Sequence, residues 1–257
     1  MKVVLLVFAG LVGWSVLVEA ASESAAPATG QQDASGGPAE FQDAVTRSGR
    51  VNGDIIVANY CAAARRQDEL VRGASMEVEI SGSLPKLQKQ GKLHALRHIT
   101  RLGRITYGAF RFQGDNTIKK EVINRYLEQE AQSLGDASIA VTPDNYKFKF
   151  KGTAEVEGRD TYVLQVSPRK KREKLYKGEI WIDAATYLPV RESGRLVKTP
   201  MGVRTVTFVR QYDIENGIAV PRRMESETEV WFFGKAELTV DFAHFSMDQH
   251  ADEDLDQ

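Results

Sequence analysis

The fold is decided by the stretch YKFKFKGTAEVEGRDTYVLQV, residues 146–166. Aromatic residues at Tyr146, Phe148 and Phe150 alternate with lysines, and the same period of two returns at Tyr162–Val166, beyond the turn signal at Gly158. Alternation with a period of two is typical of a strand that has one face buried and one face in water. The stretch therefore predicts two half-buried strands separated by a turn, in a sheet that needs cover on one side.

Downstream of this stretch, nearly all of the chain carries the same pattern. It predicts strands at Tyr176–Asp183, Pro189–Leu196, Val203–Tyr212, Glu225–Phe233 and Ala236–Phe245. Glycine and proline signals recur roughly every ten residues between the strands, which is typical of an antiparallel meander. Glu225, Glu227 and Glu229 share one face of their strand. This sheet is therefore predicted to have one face in water and the other covered.

Upstream, two amphipathic helices are predicted as the cover. The first begins near Asp54, which can accept hydrogen bonds from the free amides at its start, and ends near Gly73. Its buried face is predicted to contain Ile56, Tyr60, Ala64 and Val71. The second helix runs from Thr117 to Gln132 behind a cap at Asp115 or Asn116. Its buried stripe is predicted to contain Ile118, Val122, Ile123, Tyr126 and Leu127.

Three further strands are predicted between the two helices, at Met76–Ser81, His94–Arg101 and Arg104–Phe112. Helices are too few for a parallel sheet, which needs a crossover helix for each pair of strands. The predicted fold is therefore mainly β, of the α+β kind. We expect a large curved antiparallel sheet or an incomplete β-barrel with two covering helices.

The N-terminus predicts export. Lys2 precedes the apolar run Val3–Val18, and Val18-Glu19-Ala20 supplies compact residues of the kind that a signal peptidase reads. The run is shorter than the roughly 20 residues that span a bilayer, which favours a signal cleaved after Ala20 over a retained anchor. The predicted parts are a signal peptide 1–20, a flexible low-complexity leader 21–40, a single β domain 41–247 and an acidic tail 248–257. We therefore expect a periplasmic or secreted protein.

The segment GRDTYVLQVSPRKKREKLYKGEIWIDAATYLPVRES, residues 158–193, carries a family resemblance. One strand ends at Pro168, a basic link follows, and the next strand ends at Asp183, ahead of Thr186 and Leu188-Pro189. This order resembles the envelope lipoprotein-carrier superfamily, which comprises the LolA and LolB carriers and the N-terminal domain of the RseB/MucB regulators. The resemblance implies an incomplete β-barrel around a helical lid, with a hydrophobic cavity that receives acyl chains.

Two observations weigh against carrying the family's function over unchanged. The Asp-x-x-Thr-x-x-Pro pattern at 183–189 is also ordinary turn chemistry, found in any β protein, because aspartate and threonine satisfy local backbone amides. The segment 84–132 is longer, more basic and more helical than the carriers lead us to expect. The resemblance therefore predicts the fold more strongly than the function.

No catalytic, cofactor or metal site is predicted. His94 and His98 would share one face of a helix, as metal ligands do, but on a strand they are two ordinary surface histidines. His244 and the acidic run after it lack the glycine and the spacing of a calcium loop. Cys61 lies on the first helix without a paired histidine motif, and the sequence contains neither Gly-x-Ser-x-Gly nor Gly-x-Gly-x-x-Gly. A hydrolase would need distant polar side chains to converge.

Basic residues are concentrated in two segments, Lys86–Arg125 and Arg169–Lys174. The first contains ten lysines and arginines against Asp115 and Glu121. Such segments can dock to an anionic membrane surface or to an acidic envelope protein. The net charge of −1 indicates no nucleic-acid partner.

The leading prediction is a non-catalytic periplasmic carrier, which holds a lipid or an acylated lipoprotein in an apolar concavity and belongs to outer-membrane lipoprotein sorting. The alternative is an envelope-stress sensor or protein-interaction scaffold of the same fold, with the concavity filled by its own side chains.

Overall fold

The computed structural model describes residues 52–133, 137–232 and 234–247. The predicted signal peptide 1–20, the leader 21–40 and the acidic tail 248–257 lie outside the described residues. Within the described ranges, ten strands form one antiparallel sheet. They are β1 Ala74–Leu84, β2 Lys89–Ile99, β3 Ile105–Gly114, β4 Tyr146–Val156, β5 Arg159–Pro168, β6 Tyr176–Asp183, β7 Pro189–Leu196, β8 Val203–Glu215, β9 Ile218–Val230 and β10 Gly234–Met247.

The strand order in the sheet is β3-β2-β1-β10-β9-β8-β7-β6-β5-β4. Every pair of neighbours is a hairpin except β1 and β10, which pair antiparallel although they come from opposite ends of the domain. The sheet is open, with β3 and β4 at its two edges in the described part of the chain. The predicted fold class, a large antiparallel sheet with covering helices, is confirmed.

Two helical segments cover one face of the sheet, which we call the covered face. The first is α1 (Gly53–Leu70), and the side chain of Asn52 caps it by accepting a hydrogen bond from the Asp54 amide. The predicted cap at Asp54 is wrong by two residues, because Asp54 lies inside the first turn. The second segment consists of α2 (Asn116–Ile118), a π-helical stretch Lys119–Ile123 and α3 (Asn124–Ser133), and we call it the lid helix.

The lid helix carries the predicted apolar stripe. Ile118, Val122 and Ile123 are completely buried, and Tyr126 is nearly so. This stripe packs on β1, β2, β9 and β10 in one core cluster. The helix α1 packs Ile56, Tyr60 and Cys61 against β4 to β8 in a second cluster. Each helix therefore covers its own half of the sheet.

A pair of glycines allows the lid helix to lie close to the sheet. Gly82 on β1 pairs with Gly91 on β2. A Cβ atom at Gly82 would lie 2.9 Å from Cγ2 of Ile118 and 3.0 Å from Cγ1 of Val122. Real Cβ atoms almost never approach other carbons so closely, so a side chain here would displace the helix. The glycines thus set the distance between the lid helix and the sheet.

One strand begins earlier than the sequence predicts. The spacing of the glutamates predicts a strand from Glu225, whereas β9 begins at Ile218 and includes Pro221. Proline is usually a sign of a turn because it has no amide hydrogen to donate to a neighbouring strand. Here the pairing of β8 with β9 shifts its register between Gln211 and Tyr212, where Tyr212 faces Pro221. The irregular register accommodates the proline inside the strand.

Candidate functional site

The candidate site is the apolar compartment between the lid helix and the covered face. Its floor consists of buried side chains from three adjacent strands, namely Met76, Val78, Ile80, Leu93, Ala95, Leu238 and Val240. Its roof is the stripe Ile118, Val122, Ile123 and Tyr126. These positions alternate along each strand with exposed or half-buried residues, so the period-two pattern itself creates the floor.

A buried polar cluster fastens the C-terminal half of the lid helix to the sheet. Arg97 on β2 donates to Oε1 of Glu130 on the lid helix, from Nε at 3.2 Å and from Nη2 at 3.1 Å. The hydroxyl of Tyr107 on β3 donates to Oε2 of the same carboxylate. Removing one partner of a buried ion pair is costly, because the other charge is left without compensation. We call Arg97, Tyr107 and Glu130 the latch.

The N-terminal end of the lid helix is held by a more exposed set of contacts. Asp115 caps the helix by accepting from the Thr117 amide at 2.6 Å, and these hydrogen bonds from Thr117 lower the pKa of the Asp115 carboxyl. Lys89 on β2 donates to the Thr117 hydroxyl at 2.8 Å and lies 3.3 Å from the Asp115 carboxylate. The cap predicted at Asp115 or Asn116 is therefore Asp115. The lid helix is attached by polar contacts at both ends and by apolar packing between them.

The two halves of the covered face are separated by a buried ion pair. Arg210 on β8 donates from Nη1 to Oε2 of Glu192 on β7 at 3.2 Å, and both side chains are buried. Arg210 and Glu192 face each other across β8 and β7. On the outer sides of this pair, Met224 of β9 faces Arg210, and Ile180 of β6 faces Glu192. Burial raises the pKa of the Glu192 carboxyl, and the neighbouring Arg210 opposes that rise. The covered face is therefore two apolar compartments divided by a polar seam, rather than one apolar concavity.

Beside this seam lies a buried hydroxyl that lacks a partner. The side chain of Tyr176 on β6 is completely buried, and its hydroxyl has no hydrogen-bond partner among the described residues. Burial raises the pKa of this hydroxyl far above its ordinary value, and the Glu192 carboxylate adds to the rise. The hydroxyl therefore stays protonated and retains an unused donor at the seam.

The helix α1 is held differently from the lid helix. Its Gln67 side chain donates to the carbonyl of Ala219 at 2.9 Å and accepts from the Ala219 amide at 3.0 Å. Both bonds are buried, and they tie the helix to the start of β9 as an additional strand would. No charged group takes part in this attachment. The attachment of the lid helix, by contrast, depends on ionised side chains.

The candidate metal residues are dispersed. His94 and His98 lie on β2, a strand, and His94 is 3.4 Å from the Glu79 carboxylate. His244 lies on β10 and is 3.2 Å from Glu77, while the acidic run after it falls outside the described residues. Within the described ranges, no group of three or more histidine, cysteine, aspartate or glutamate side chains could hold a metal ion. Cys61 is a buried free thiol in the core beneath α1, and burial raises its pKa.

The basic segment Lys86–Arg125 does not form one surface. Lys86 lies in the turn between β1 and β2, and Lys92 forms an ion pair with Glu79 on the outer face of the sheet. Arg97 is buried in the latch, and Arg125 pairs with Glu121 along the lid helix. The segment Arg169–Lys174 stays together in the turn between β5 and β6.

A polar groove of about 500 Å³ opens on the outer face, above β10, β1, β2 and β3. Its walls include Ser81, Ser83, Gln90, Lys92, Gln113 and Glu237. These residues have the opposite parity from the compartment floor, so the groove is separated from the compartment by the thickness of the sheet.

The sequence contains a signal for the latch and the seam, namely charged residues at buried strand positions. Along β2, the buried face reads Leu93, Ala95, Arg97 and Ile99, so a charged residue stands where an apolar one is expected. Glu192 and Arg210 interrupt β7 and β8 in the same way. A lone charge at a buried position predicts a buried partner, because an unpaired buried charge is strongly unfavourable. It does not predict which residue that partner is.

In the described part of the chain, no helix is both long and apolar enough to cross a membrane.

Several solved structures are similar to this chain. The chain is similar to an outer-membrane lipoprotein-sorting domain from Vibrio parahaemolyticus, at 12% identity and a TM-score of 0.41, covering 79% of this chain and 96% of that one. It is also similar to a DUF1329 family protein from Desulfovibrio piger, at 15% identity and a TM-score of 0.40, covering 76% and 94%. A LolA superfamily protein from Nitrosomonas europaea has 13% identity and a TM-score of 0.36, covering 77% and 94%.

One of these structures belongs to the superfamily that residues 158–193 resemble, and the likeness concerns the fold alone. No curated protein matches the chain. A family model described as "-like: Uncharacterized protein" matches residues 118–247, which is 130 of the 257 residues. The match includes all but the first two residues of the lid helix, and strands β4 to β10. The chain belongs to this family.

Proposed function

We propose that this chain is a non-catalytic binding protein of the bacterial cell envelope, which takes the acyl chain of a lipid or lipoprotein beneath its lid helix. The observation that carries the proposal is the construction of the compartment. Its floor and roof are apolar, whereas the fixed points of the roof are the latch and the exposed contacts of Asp115. Moving the helix away would break polar contacts at its ends and expose a continuous apolar surface.

The energetics suit a reversible carrier. Burying each CH₂ group of an acyl chain contributes about 0.8 kcal/mol. In the closed form, Ile118, Val122, Ile123 and Tyr126 already bury the same floor. An incoming chain therefore replaces contacts of the roof with the floor rather than filling an empty cavity, so its net gain is smaller than the sum over its CH₂ groups. No covalent step is required.

Its location in the periplasm is supported by the N-terminal sequence. The charged start, the apolar run Val3–Val18 and the compact residues before Ala21 make a secretory signal. We expect mature protein that begins at Ala21, which N-terminal sequencing of protein recovered from the periplasm would check.

The latch provides the test of the mechanism. We predict that Tyr107→Phe and Glu130→Gln each increase the rate at which a fluorescent fatty acyl probe enters the protein, by about tenfold. This estimate corresponds to the loss of a charge-assisted hydrogen bond. The measurement is stopped-flow fluorescence at pH 7. Tyr107→Phe retains the ion pair with Arg97, so it tests the latch without leaving a buried charge unpaired.

The matched control is Glu121→Gln, the same chemical change on the same helix. Among the residues that the structure describes, Glu121 pairs only within the helix, with Arg125 at 2.9 Å. We expect its rate of probe entry to remain within twofold of the unmodified protein. Equal effects of Glu130→Gln and Glu121→Gln, or no probe binding by any variant, would contradict a latched acyl compartment.

A second function is favoured by a different observation, namely that the covered face is already filled by the protein's own side chains. Among the described residues, the side chains under both helices are nearly all buried. A protein with a permanently filled interior would act as an envelope-stress sensor or interaction scaffold. This candidate predicts that a disulfide or cross-link holding the lid helix closed leaves partner binding unchanged, whereas the carrier would lose acyl binding.

A further inference from the structure

Four neighbouring turns meet at one end of the sheet. Because adjacent strands run in opposite directions and follow the order β2-β1-β10-β9-β8-β7-β6-β5, the turns that close these four hairpins lie side by side. They are residues 85–88, 231–232, 197–202 and 169–175, and we call them together the tip surface. Contacts connect them: Lys86 Nζ donates to the Phe232 carbonyl at 3.1 Å, and the Trp231 amide donates to the Gly202 carbonyl at 3.0 Å.

The tip surface exposes large apolar side chains. Met201 is 97% exposed, Phe232 87%, Trp231 55% and Leu87 42%. Single exposed apolar residues are common on proteins, but several on adjacent turns form a patch that marks an interaction site. Three of the four turns contribute to this patch. It consists of projecting tips rather than a groove.

The backbone at Phe232 is unfavourable for the residue that occupies it. Its φ is +70°, in the left-handed region that glycine adopts most easily. A bulky aromatic residue at such a position is an outlier, and outliers of this kind are associated with functional constraint. This backbone conformation places the aromatic ring of Phe232 in solvent at the end of the hairpin formed by β9 and β10. Folding does not need that ring, since it contributes almost nothing to the core.

Positive charge surrounds the apolar tips. Within the four turns the basic residues are Lys86, Arg169, Lys170, Lys171, Arg172, Lys174 and Lys198, against the single acidic residue Glu173. Lys198 lies 3.0 Å from Glu173, which ties the turn at 197–202 to the basic turn at 169–175. Lys170 and Lys171 are exposed. In a chain with a net charge of −1, the four turns together carry an excess of six positive charges.

We propose that the tip surface docks onto an anionic lipid bilayer, with Trp231 and Phe232 in the interfacial region and the lysines against the headgroups. Tryptophan is enriched at membrane interfaces because its ring is apolar and its indole N–H is polar. Basic side chains beside it gain from the negative potential of anionic lipids. Projecting apolar tips flanked by long cationic side chains match a flat, deformable, negatively charged surface. This inference is independent of acyl binding under the lid helix.

The test is flotation of protein expressed from the full sequence with two kinds of vesicle. One contains 30% phosphatidylglycerol in phosphatidylethanolamine, and the other is pure phosphatidylcholine. We expect binding to the anionic vesicles, with a partition coefficient that falls at least tenfold in Trp231→Ser/Phe232→Ser and in Lys170→Glu/Lys171→Glu. Binding to phosphatidylcholine should be weak for every protein.

Matched controls lie in the turn between β2 and β3, at the opposite end of the sheet. Leu102 is a highly exposed apolar residue, and Arg101 and Arg104 flank it. Leu102→Ser and Arg101→Glu/Arg104→Glu should leave partitioning within twofold of the unmodified protein. Equal losses at both ends, or no binding of the unmodified protein to anionic vesicles, would overturn the proposal.

A second readout places the aromatic tip in the bilayer. Of the two tryptophans that the structure describes, Trp181 and Trp231, only Trp231 lies on the tip surface. In protein cleaved after Ala20, and therefore without Trp14, brominated lipid should quench tryptophan fluorescence in Trp181→Phe but not in Trp231→Phe. Sedimentation velocity in the absence of lipid tests whether a second copy of the chain binds to the tip surface instead of a bilayer. A dimer that Trp231→Ser/Phe232→Ser dissociates would show that a second copy of the chain occupies the tips, and would overturn membrane docking.

Discussion

At the scale of a single residue, Asp68 carries a negative charge that is less favourable in the folded protein than in water. It lies on the buried side of α1, and burial raises the pKa of its carboxyl from 3.8 to about 7, with Arg72 opposing and Glu69 adding to the rise. An acid whose pKa is higher in the folded state is favoured there in its protonated form. Its contribution to stability is therefore fully present below about pH 4 and is lost as the pH rises through about 7.

From this we predict that Asp68→Asn stabilises the protein by about 1–3 kcal/mol at pH 8, because the amide needs no ionised form. The difference from the unmodified protein should vanish below about pH 4. Urea unfolding at a series of pH values measures it. Glu69→Gln, one residue along on the exposed side of the same helix, serves as the control and should change the free energy of unfolding by less than about 0.5 kcal/mol.

The structural role of a residue could be predicted from the sequence where the pattern lies within a single helix or strand. The buried stripe from Ile118 to Tyr126 followed from helical spacing alone. The cap of α1 was assigned to Asp54 instead of Asn52, because both residues can cap a helix and the pattern of buried residues does not distinguish them. The latch could not be predicted, since Arg97 and Glu130 meet only when the lid helix lies on β2.

At the scale of elements, the lid helix lies so close to β1 and β2 that a single substitution between them should destabilise the protein. Gly82→Ala places a methyl group within about 3 Å of Ile118 and Val122. We predict a loss of about 1–3 kcal/mol in the free energy of unfolding, which is typical of overpacking in a dense core. Chemical denaturation monitored by circular dichroism is the measurement.

The control for this prediction is Gly108→Ala on the edge strand β3. A Cβ atom there would meet no atom within 4 Å. Its effect should stay within about 0.5 kcal/mol. If Gly82→Ala proved as mild as Gly108→Ala, the lid helix would not rest on the glycines as described.

Strands were predicted well where the alternation of apolar and polar residues was uninterrupted. The bounds predicted for β6 and β7 match the structure, and the pattern at Tyr146–Phe150 marks the start of β4. Prediction failed at Pro221, since a proline inside a strand depends on a register shift in the pairing with β8. That shift is a property of two strands and is invisible in the sequence of one.

At the scale of the whole molecule, the pairing of β1 with β10 determines the architecture. It joins the three N-terminal strands to the seven-strand meander, and the lid helix belongs to the connection from edge strand β3 to edge strand β4. The sequence predicted a meander and two covering helices but not this pairing, because contacts between distant segments leave no periodic signal. The polar seam escaped prediction for another reason: Glu192 and Arg210 each interrupt the buried face of a strand, but that signal does not identify the partner of either charge.

The central claim is that the compartment beneath the lid helix holds an acyl chain. Its most direct test is native mass spectrometry of protein purified from a bacterial periplasm without detergent, followed by lipid extraction. The account predicts a stoichiometric lipid that a fluorescent fatty acyl probe displaces. A protein whose mass is that of the polypeptide alone, and which binds no probe, would contradict it and leave the interaction scaffold as the function of this fold.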